Sequence, residues 1–196
     1  MSPRFDEAFW SSRWNEGQTG WNIGYPSTPL THFIDSLHDH SVRILIPGAG
    51  NAYEAEYLWK KGFRQVYVMD LSDIPLKAFA ARNPDFPAAQ LIHGDFFQHD
   101  GEYDLILEQT FYCALDPVLR DNYVRHMHRL LVPQGRLAGV LFNFPLTEEG
   151  PPFGGSEDEY RERFEPYFEI IRMEPCPHSI PPRAGRELFI ELEKMG

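Results

Sequence analysis

Apolar and polar positions along this chain follow two alternating periods. Short apolar runs of strand length are separated by stretches whose apolar residues fall three and four apart, the spacing of a helix face. Arg43-Ile44-Leu45-Ile46-Pro47 is the first clear run, and Gly48-Ala49-Gly50 follows at once. Residues 53–61 have helical spacing, and Gln65-Val66-Tyr67-Val68-Met69 is the next run, ending on Asp70. Residues 91–93, 103–108, 136–143, 168–174 and 187–193 read as further strands. Residues 30–37, 118–131 and 157–164 read as helices, the second ended by Pro133 and Gly135. Residues 3–16 form a short amphipathic segment and residues 17–29 a turn-rich one. Residues 110–115 form an apolar loop, 145–156 a stiff proline-glycine loop, and 176–185 a proline-rich connection. Strands that alternate with helices and then close as a pair predict an α/β fold, a parallel sheet with a late antiparallel hairpin.

The segment from Val42 to Asp70 narrows the chemistry. Strand, glycine turn, helix, strand and terminal acid is how a doubly wound sheet begins when its first turn holds a nucleoside. Glycines let backbone approach a ligand where a Cβ would block it, and the acid can accept from a ribose diol. The third-glycine position of a dinucleotide fingerprint is Tyr53, too large to sit beside a pyrophosphate. No Lys-Ser or Lys-Thr follows the turn, which excludes a P-loop. S-adenosylmethionine, an adenosine without phosphate that carries a sulfonium cation, suits this turn. A tight strand-to-helix turn would alone explain the glycines, so the downstream residues decide. Asp95 and Phe96 follow the third strand, placed to accept from an adenine amino group and to cover its ring. Glu108 and Gln109 end the fourth. Each acid singly reads as a solvated carboxylate or a helix cap; at the ends of successive strands they share one crevice.

Composition bounds the rest. The 196 residues suffice for one domain with a sizeable core, and 42% hydrophobic with 14% aromatic residues fits a globular protein. A net charge of −11 argues against nucleic acid as partner, because phosphate contacts need clustered Lys and Arg. No apolar run approaches a membrane span, and the first residues show no signal core, so a cytoplasmic monomer is expected. Cys113 and Cys176 give neither a disulfide framework nor a zinc cluster. His126 and His128 lie two apart on a helix and point to different sides, and His38 and His40 lie in a polar loop, so no metal is expected.

Trp10, Trp14 and Trp21 lie outside the sheet pattern, with the first two on one helix face. Packing on the domain would explain them; so would a lid, since an indole face attracts a soft cation by about 0.5–2 kcal/mol. The stretch Trp10-Ser11-Ser12-Arg13-Trp14-Asn15-Glu16-Gly17-Gln18-Thr19-Gly20-Trp21 resembles the N-terminal signature of the thiopurine methyltransferase superfamily, closest to its thiol and halide methyltransferase branch. Leu45 to Gly50, Met69-Asp70-Leu71-Ser72, Gly94-Asp95-Phe96-Phe97, Phe111 to Pro117, Gly150-Pro151-Pro152-Phe153 and Pro177 to Gly185 resemble the family's other motifs in collinear order. The resemblance implies one class I methyltransferase domain over residues 1–196, Rossmann-like and seven-stranded, mostly parallel with an antiparallel C-terminal pair. Residues 1–29 would be its lid. It further implies that Trp10, Trp14 and Trp21 line the methionine side of S-adenosyl-L-methionine. Gly48 and Gly50 would form its floor, Asp70 would bind the ribose, and Asp95 and Phe96 the adenine. Glu108 and Gln109 would lie near the methionyl group or the transferring methyl. Some relatives carry a tyrosine near the end of the fifth strand where this chain has Phe142.

Methyl transfer from a sulfonium is a direct displacement whose leaving thioether is neutral, so no acid is needed to expel it. Phe111, Tyr112, Phe142 and Phe153 are expected to wall an apolar acceptor pocket, with Phe144 beside them. That suits a small thiol, a thiopurine or a halide as methyl acceptor. Glu108, Tyr112 and His178 are the candidates for a base, each with a bland alternative in cofactor contact, packing or loop hydrogen bonding. The competing readings are a protein that binds the cofactor without turnover and a dinucleotide-dependent oxidoreductase.

Overall fold

The computed structural model describes residues 5–196, so the start of the 3–16 segment lies outside the described residues. One seven-stranded sheet runs through the molecule in the order β3-β2-β1-β4-β5-β7-β6. Its strands are β1 (Ile44–Pro47), β2 (Val66–Asp70), β3 (Leu91–His93), β4 (Tyr103–Gln109), β5 (Leu131–Phe142), β6 (Phe168–Pro175) and β7 (Glu187–Lys194). The first five are parallel to one another, and β7 inserts antiparallel between β5 and β6. This is the mostly parallel sheet with an antiparallel C-terminal pair that the alternation predicts. Strand order reverses between β1 and β4, which opens a crevice beyond their carboxyl ends.

Alternating side chains feed two cores. Ile44 and Ile46 of β1 face α2 (Thr28–Asp35), α3 (Tyr53–Lys61) and α4 (Asp73–Arg82) through Leu30, Phe33, Leu58 and Phe79. Leu45 faces the opposite way, toward α5 (Arg120–Leu130) and α6 (Glu157–Phe164), with Tyr123, Met127, Tyr160 and Phe164. Parallel strands covered on both faces read as continuous apolar runs, which is why the first two strands stand out in the sequence.

Two elements depart from the sequence reading. Helix α4 is absent from it; the helix's apolar residues form no stripe, and Pro75 interrupts the pattern. Proline is tolerated in a first turn, and Ser72 caps the helix by accepting from the Ile74 amide. Strand β5 begins at Leu131 rather than 136. Pro133 and Gly135 end the helix pattern, but the chain keeps pairing with β4 through a bulge, with Gln134 at φ +64. A helix α1 (Glu7–Asn15) precedes the sheet and contributes no buried residue to either core. Among the described residues no helix is long and apolar enough to cross a membrane.

Candidate active site

The crevice at the strand-order reversal is a cavity of about 1360 Å³. Its floor is the turn after β1, where Gly48 and Gly50 take φ of +57 and +53. The turn needs glycine for space as well as for φ. The space is lacking at Gly48, where a Cβ would sit 2.3 Å from Phe111 Cδ2; at Gly50 a Cβ would make only ordinary contact with Trp14 at 3.5 Å, so φ is what calls for glycine there.

Asp70, at the end of β2, braces this turn. Its Oδ2 accepts from the Gly50 amide at 2.8 Å and its Oδ1 from the Ser72 amide at 2.9 Å. Burial pushes the carboxyl up, and the backbone donors of Ser72, Gly50 and Leu71 oppose that push. A carboxylate has about four lone-pair sites, so Asp70 keeps acceptor capacity on the cavity it lines. Asp95 opens a 3₁₀ turn after β3 by accepting from the Phe97 amide at 2.9 Å, while its Oδ2 accepts from Gln98 Nε2 at 3.1 Å. Phe96 is wedged edge-on against Phe111 and His126, with ring centres 5.1 and 4.5 Å away.

Helix α1 roofs the floor. Asp6 caps it by accepting from the Phe9 amide. Ser11 Oγ lies 2.8 Å from Ser72 Oγ, and Glu7 Oε1 lies 3.1 Å from Nε2 of His93, the last residue of β3. The Trp21 ring stands edge-on between Trp10 and Trp14, at 5.5 and 5.6 Å. Arg183 of the 176–185 connection ties down this roof by donating from Nη2 to the Trp21 carbonyl at 3.2 Å.

The far end, beyond β4 and β5, is lined by Phe142, Cys113, Pro151, Pro152, Pro182 and Arg183. Two loops meet there. The Phe153 amide donates to the Cys113 carbonyl at 2.8 Å, and fully buried Arg120 donates to the Gly154 carbonyl at 2.7 Å while pairing with Glu159. Cys113 and Arg183 are the ionisable groups among these lining residues. Burial pushes the Cys113 thiol up, which keeps it protonated, and the Arg183 guanidinium, a donor without an acceptor site, lies beside Glu187. Neither is a base.

Of the residues singled out in the sequence, the structure gathers Trp10, Trp14, Trp21, Gly48, Gly50, Asp70, Asp95, Phe96, Phe111 and Phe142 around this cavity. The others lie behind its walls. Glu108 is fully buried, its Oε1 accepting from the Phe111 and Tyr112 amides at 2.8 and 3.0 Å and its Oε2 from the Tyr123 hydroxyl. Tyr112 is buried beneath the Arg120 guanidinium, 4.8 Å from its ring centre. Gln109 pairs with Val140 inside the sheet, Phe153 is buried against Phe5, and His178 stacks on His32 at 3.7 Å. Thr110, Leu71 and His126 line the cavity without having been singled out for it. His126 carried only a metal reading; burial and then Arg129 push it down to about 4, so it stays neutral. Its partner Phe96 is 30 residues away in sequence, and nothing local signals that contact.

A family model described as Thiopurine S-methyltransferase (TPMT) matches residues 5–186. The chain is 29% identical over 184 residues to a probable thiol methyltransferase 2 of Arabidopsis thaliana, covering 91% of this chain and 81% of that protein. It is 27% identical over 179 residues to a thiopurine S-methyltransferase of Photobacterium profundum, covering 82% and 83%. Among solved structures, the 1,6-didemethyltoxoflavin-N1-methyltransferase of Burkholderia thailandensis superposes with a TM-score of 0.73 at 20% identity, covering 97% of this chain and 87% of that one.

Proposed function

The chain belongs to the thiopurine S-methyltransferase family, and on that premise we propose that it transfers a methyl group from S-adenosyl-L-methionine to a small thiol, thiopurine or halide. One observation carries the reading. A single cavity runs from a buried acid at β2, over a glycine floor roofed by indoles, to an apolar end beyond β5. Asp70 and Phe142 sit on strands three places apart, about 14 Å at the usual strand spacing of about 4.8 Å. That is room for a nucleoside, a sulfonium and an attacking atom in line.

The residues present fit the cofactor. Asp70 offers acceptors to a ribose diol, Asp95 and Phe96 an acceptor and an apolar wall to adenine, and Gly50 a floor without a Cβ. Trp10, Trp14 and Trp21 offer indole surface to a cation. When bound, S-adenosylmethionine supplies an electrophilic methyl: the acceptor forms the new bond to carbon, the carbon–sulfur bond breaks, and its electron pair neutralises the sulfonium. The protein's part is to align the partners and exclude water. Orientation of this kind lowers a barrier by up to about 7–11 kcal/mol in the best intramolecular models. Neither Cys113 nor Arg183 can take a proton from the acceptor, and Asp116, the carboxylate of the same loop on the cavity lining, accepts from the Val118 amide, so an acceptor that is already ionised is favoured.

Incubating the protein with S-adenosylmethionine and a panel of thiols, thiopurines and iodide, then measuring S-adenosylhomocysteine, tests this. Turnover of a thiol should rise about tenfold per pH unit below the thiol's own pKa, and iodide turnover should not. No product from any acceptor, with micromolar cofactor binding, would leave a binder without turnover. Binding of NADH in place of S-adenosylmethionine would reinstate the oxidoreductase reading.

A further inference from the structure

Glu108 stands at the end of β4, where the chain leaves the sheet to form the loop of residues 110–115. It is 0% exposed, and the described residues give it no cationic partner. Its contacts are three donors: the amides of Phe111 and Tyr112 and the hydroxyl of Tyr123 on α5. A buried carboxylate without a cation is costly unless something requires it. We propose that Glu108 is a positioning residue whose buried carboxylate fixes the loop of residues 110–115, and through it both the cofactor floor and the acceptor wall.

The loop connects to both ends of the cavity. Thr110 takes φ +61, an unfavourable conformation for a residue with a branched Cβ, and the next two amides are the ones Glu108 holds. Phe111 then lays its ring directly over Gly48. Two residues on, the Cys113 carbonyl accepts from the Phe153 amide and so suspends the 150–155 loop of the acceptor wall. Releasing the grip on Phe111 and Tyr112 frees the strained Thr110 turn, lifts Phe111 from the floor and loosens the far wall together. The inference rests on the proposed reading only in calling these surfaces cofactor floor and acceptor wall.

The titratable neighbours are Tyr123 from α5, Tyr112 and Cys113 from the loop and Tyr160 from α6; all are neutral at pH 7 because burial raises each. The nearby guanidinium of Arg120 is turned to Tyr112 and paired with Glu159. Burial therefore pushes Glu108 up to about 7 despite its three donors. Near neutrality the carboxylate and the acid coexist, and the acid is the weaker acceptor.

Amide hydrogen exchange, expressed as protection relative to the intrinsic rate at each pH, tests this without any substrate. In the wild type, an opening that lifts the loop while the carboxyl stays buried removes two donors that favour the charged form, so protection at Phe111 and Tyr112 should fall about fivefold between pH 8 and pH 6, the difference between a charge-assisted and a neutral hydrogen bond. Glu108→Gln keeps one oxygen for both amides and turns its NH₂ to the Tyr123 oxygen, so it should fold, protect both amides and lose the pH dependence. Glu108→Leu, of similar size without acceptors, should lose protection at both amides and bind S-adenosylhomocysteine more than tenfold weaker. Protection that is indifferent to pH in the wild type, or unchanged in Glu108→Leu, overturns the inference. Failure to find a methyl acceptor would count against the proposed function and leave these measurements untouched.

Discussion

Replacing Asp70 by asparagine separates two roles that the structure assigns to one carboxylate. In the wild type each oxygen accepts from a different buried amide, that of Gly50 or of Ser72. Asparagine keeps one carbonyl oxygen, so one of those amides must face an NH₂ group. A buried donor without an acceptor costs about 1–3 kcal/mol, and the fold should lose that much stability in a urea titration. The cavity side changes as well: a ribose diol that met a charged acceptor meets a neutral amide. Losing a charge-assisted hydrogen bond costs about 1.5–3 kcal/mol, roughly a 10- to 150-fold rise in Kd for S-adenosylhomocysteine by calorimetry. Because burial raises the Asp70 carboxyl, wild-type affinity should also weaken as the pH falls through that raised value, and the asparagine variant should not share the slope. A variant that loses stability but binds S-adenosylhomocysteine within twofold of wild type would reduce Asp70 to a brace for the glycine turn. The cofactor would then lie elsewhere.

Three further outcomes are expected. Gly48→Ala should destabilise the fold by about 1–2 kcal/mol from the left-handed backbone alone, and more because its Cβ displaces the Phe111 ring; urea melts of the variant measure the sum. Trp14→Ala should speed release of S-adenosylhomocysteine in stopped-flow fluorescence while the melting temperature stays within a few degrees, since α1 buries no residue in either core; a collapsed melting temperature with unaltered release would make Trp14 a packing residue. Glu108 is raised to about 7 in the fold from the ordinary carboxylate value, so the folded state binds the extra proton between the two and global stability should fall as pH rises from 4.5 to 7; Glu108→Gln should flatten that part of a melting-temperature profile.

The sequence revealed what strand ends and glycines determine locally. Ile44 to Asp70 reads directly because a strand buried on both faces has no polar interruptions and the turn is marked by two glycines. From there the rule that ligands bind beyond carboxyl ends at the order reversal places Asp70 and Asp95 without further information. What failed to read is what long-range packing determines. Helix α4 buries only Pro75, Leu76 and Phe79 and carries no stripe. The bulge at Gln134 looks like a helix stop until β4 is beside it. Glu108 looks like a site acid because it ends a strand beside the others, yet the left-handed Thr110 turns the chain back so that the amides after it cap that carboxylate from the core side. Arg183 pins the carbonyl of Trp21 across 162 residues of sequence, a contact no spacing announces.

These placements also constrain which acceptors the cavity favours. Its far end offers aromatic and proline surface, a thiol held protonated and a guanidinium already engaged by Trp21 and Glu187. Such walls desolvate whatever enters, which penalises a small, strongly hydrated anion far more than a large, polarizable one. A sulfur or iodide nucleophile loses little hydration on entry and meets a cation that it neutralises as it reacts. An alcohol acceptor would need its proton removed, and the structure places Glu108 behind the wall with its acceptors spent on the loop amides and Tyr123, while Asp116 on the cavity lining accepts from the Val118 amide. A preference for soft nucleophiles is then expected from the same arrangement that keeps the loop in place: the buried carboxylate behind the acceptor wall holds backbone and does not reach the acceptor. Moving an acid to the cavity surface at Phe142→Glu would test that logic, because it should admit slow methylation of amines while depressing turnover of thiols and iodide. If amine and thiol rates instead changed together, the lining would not be what selects the acceptor.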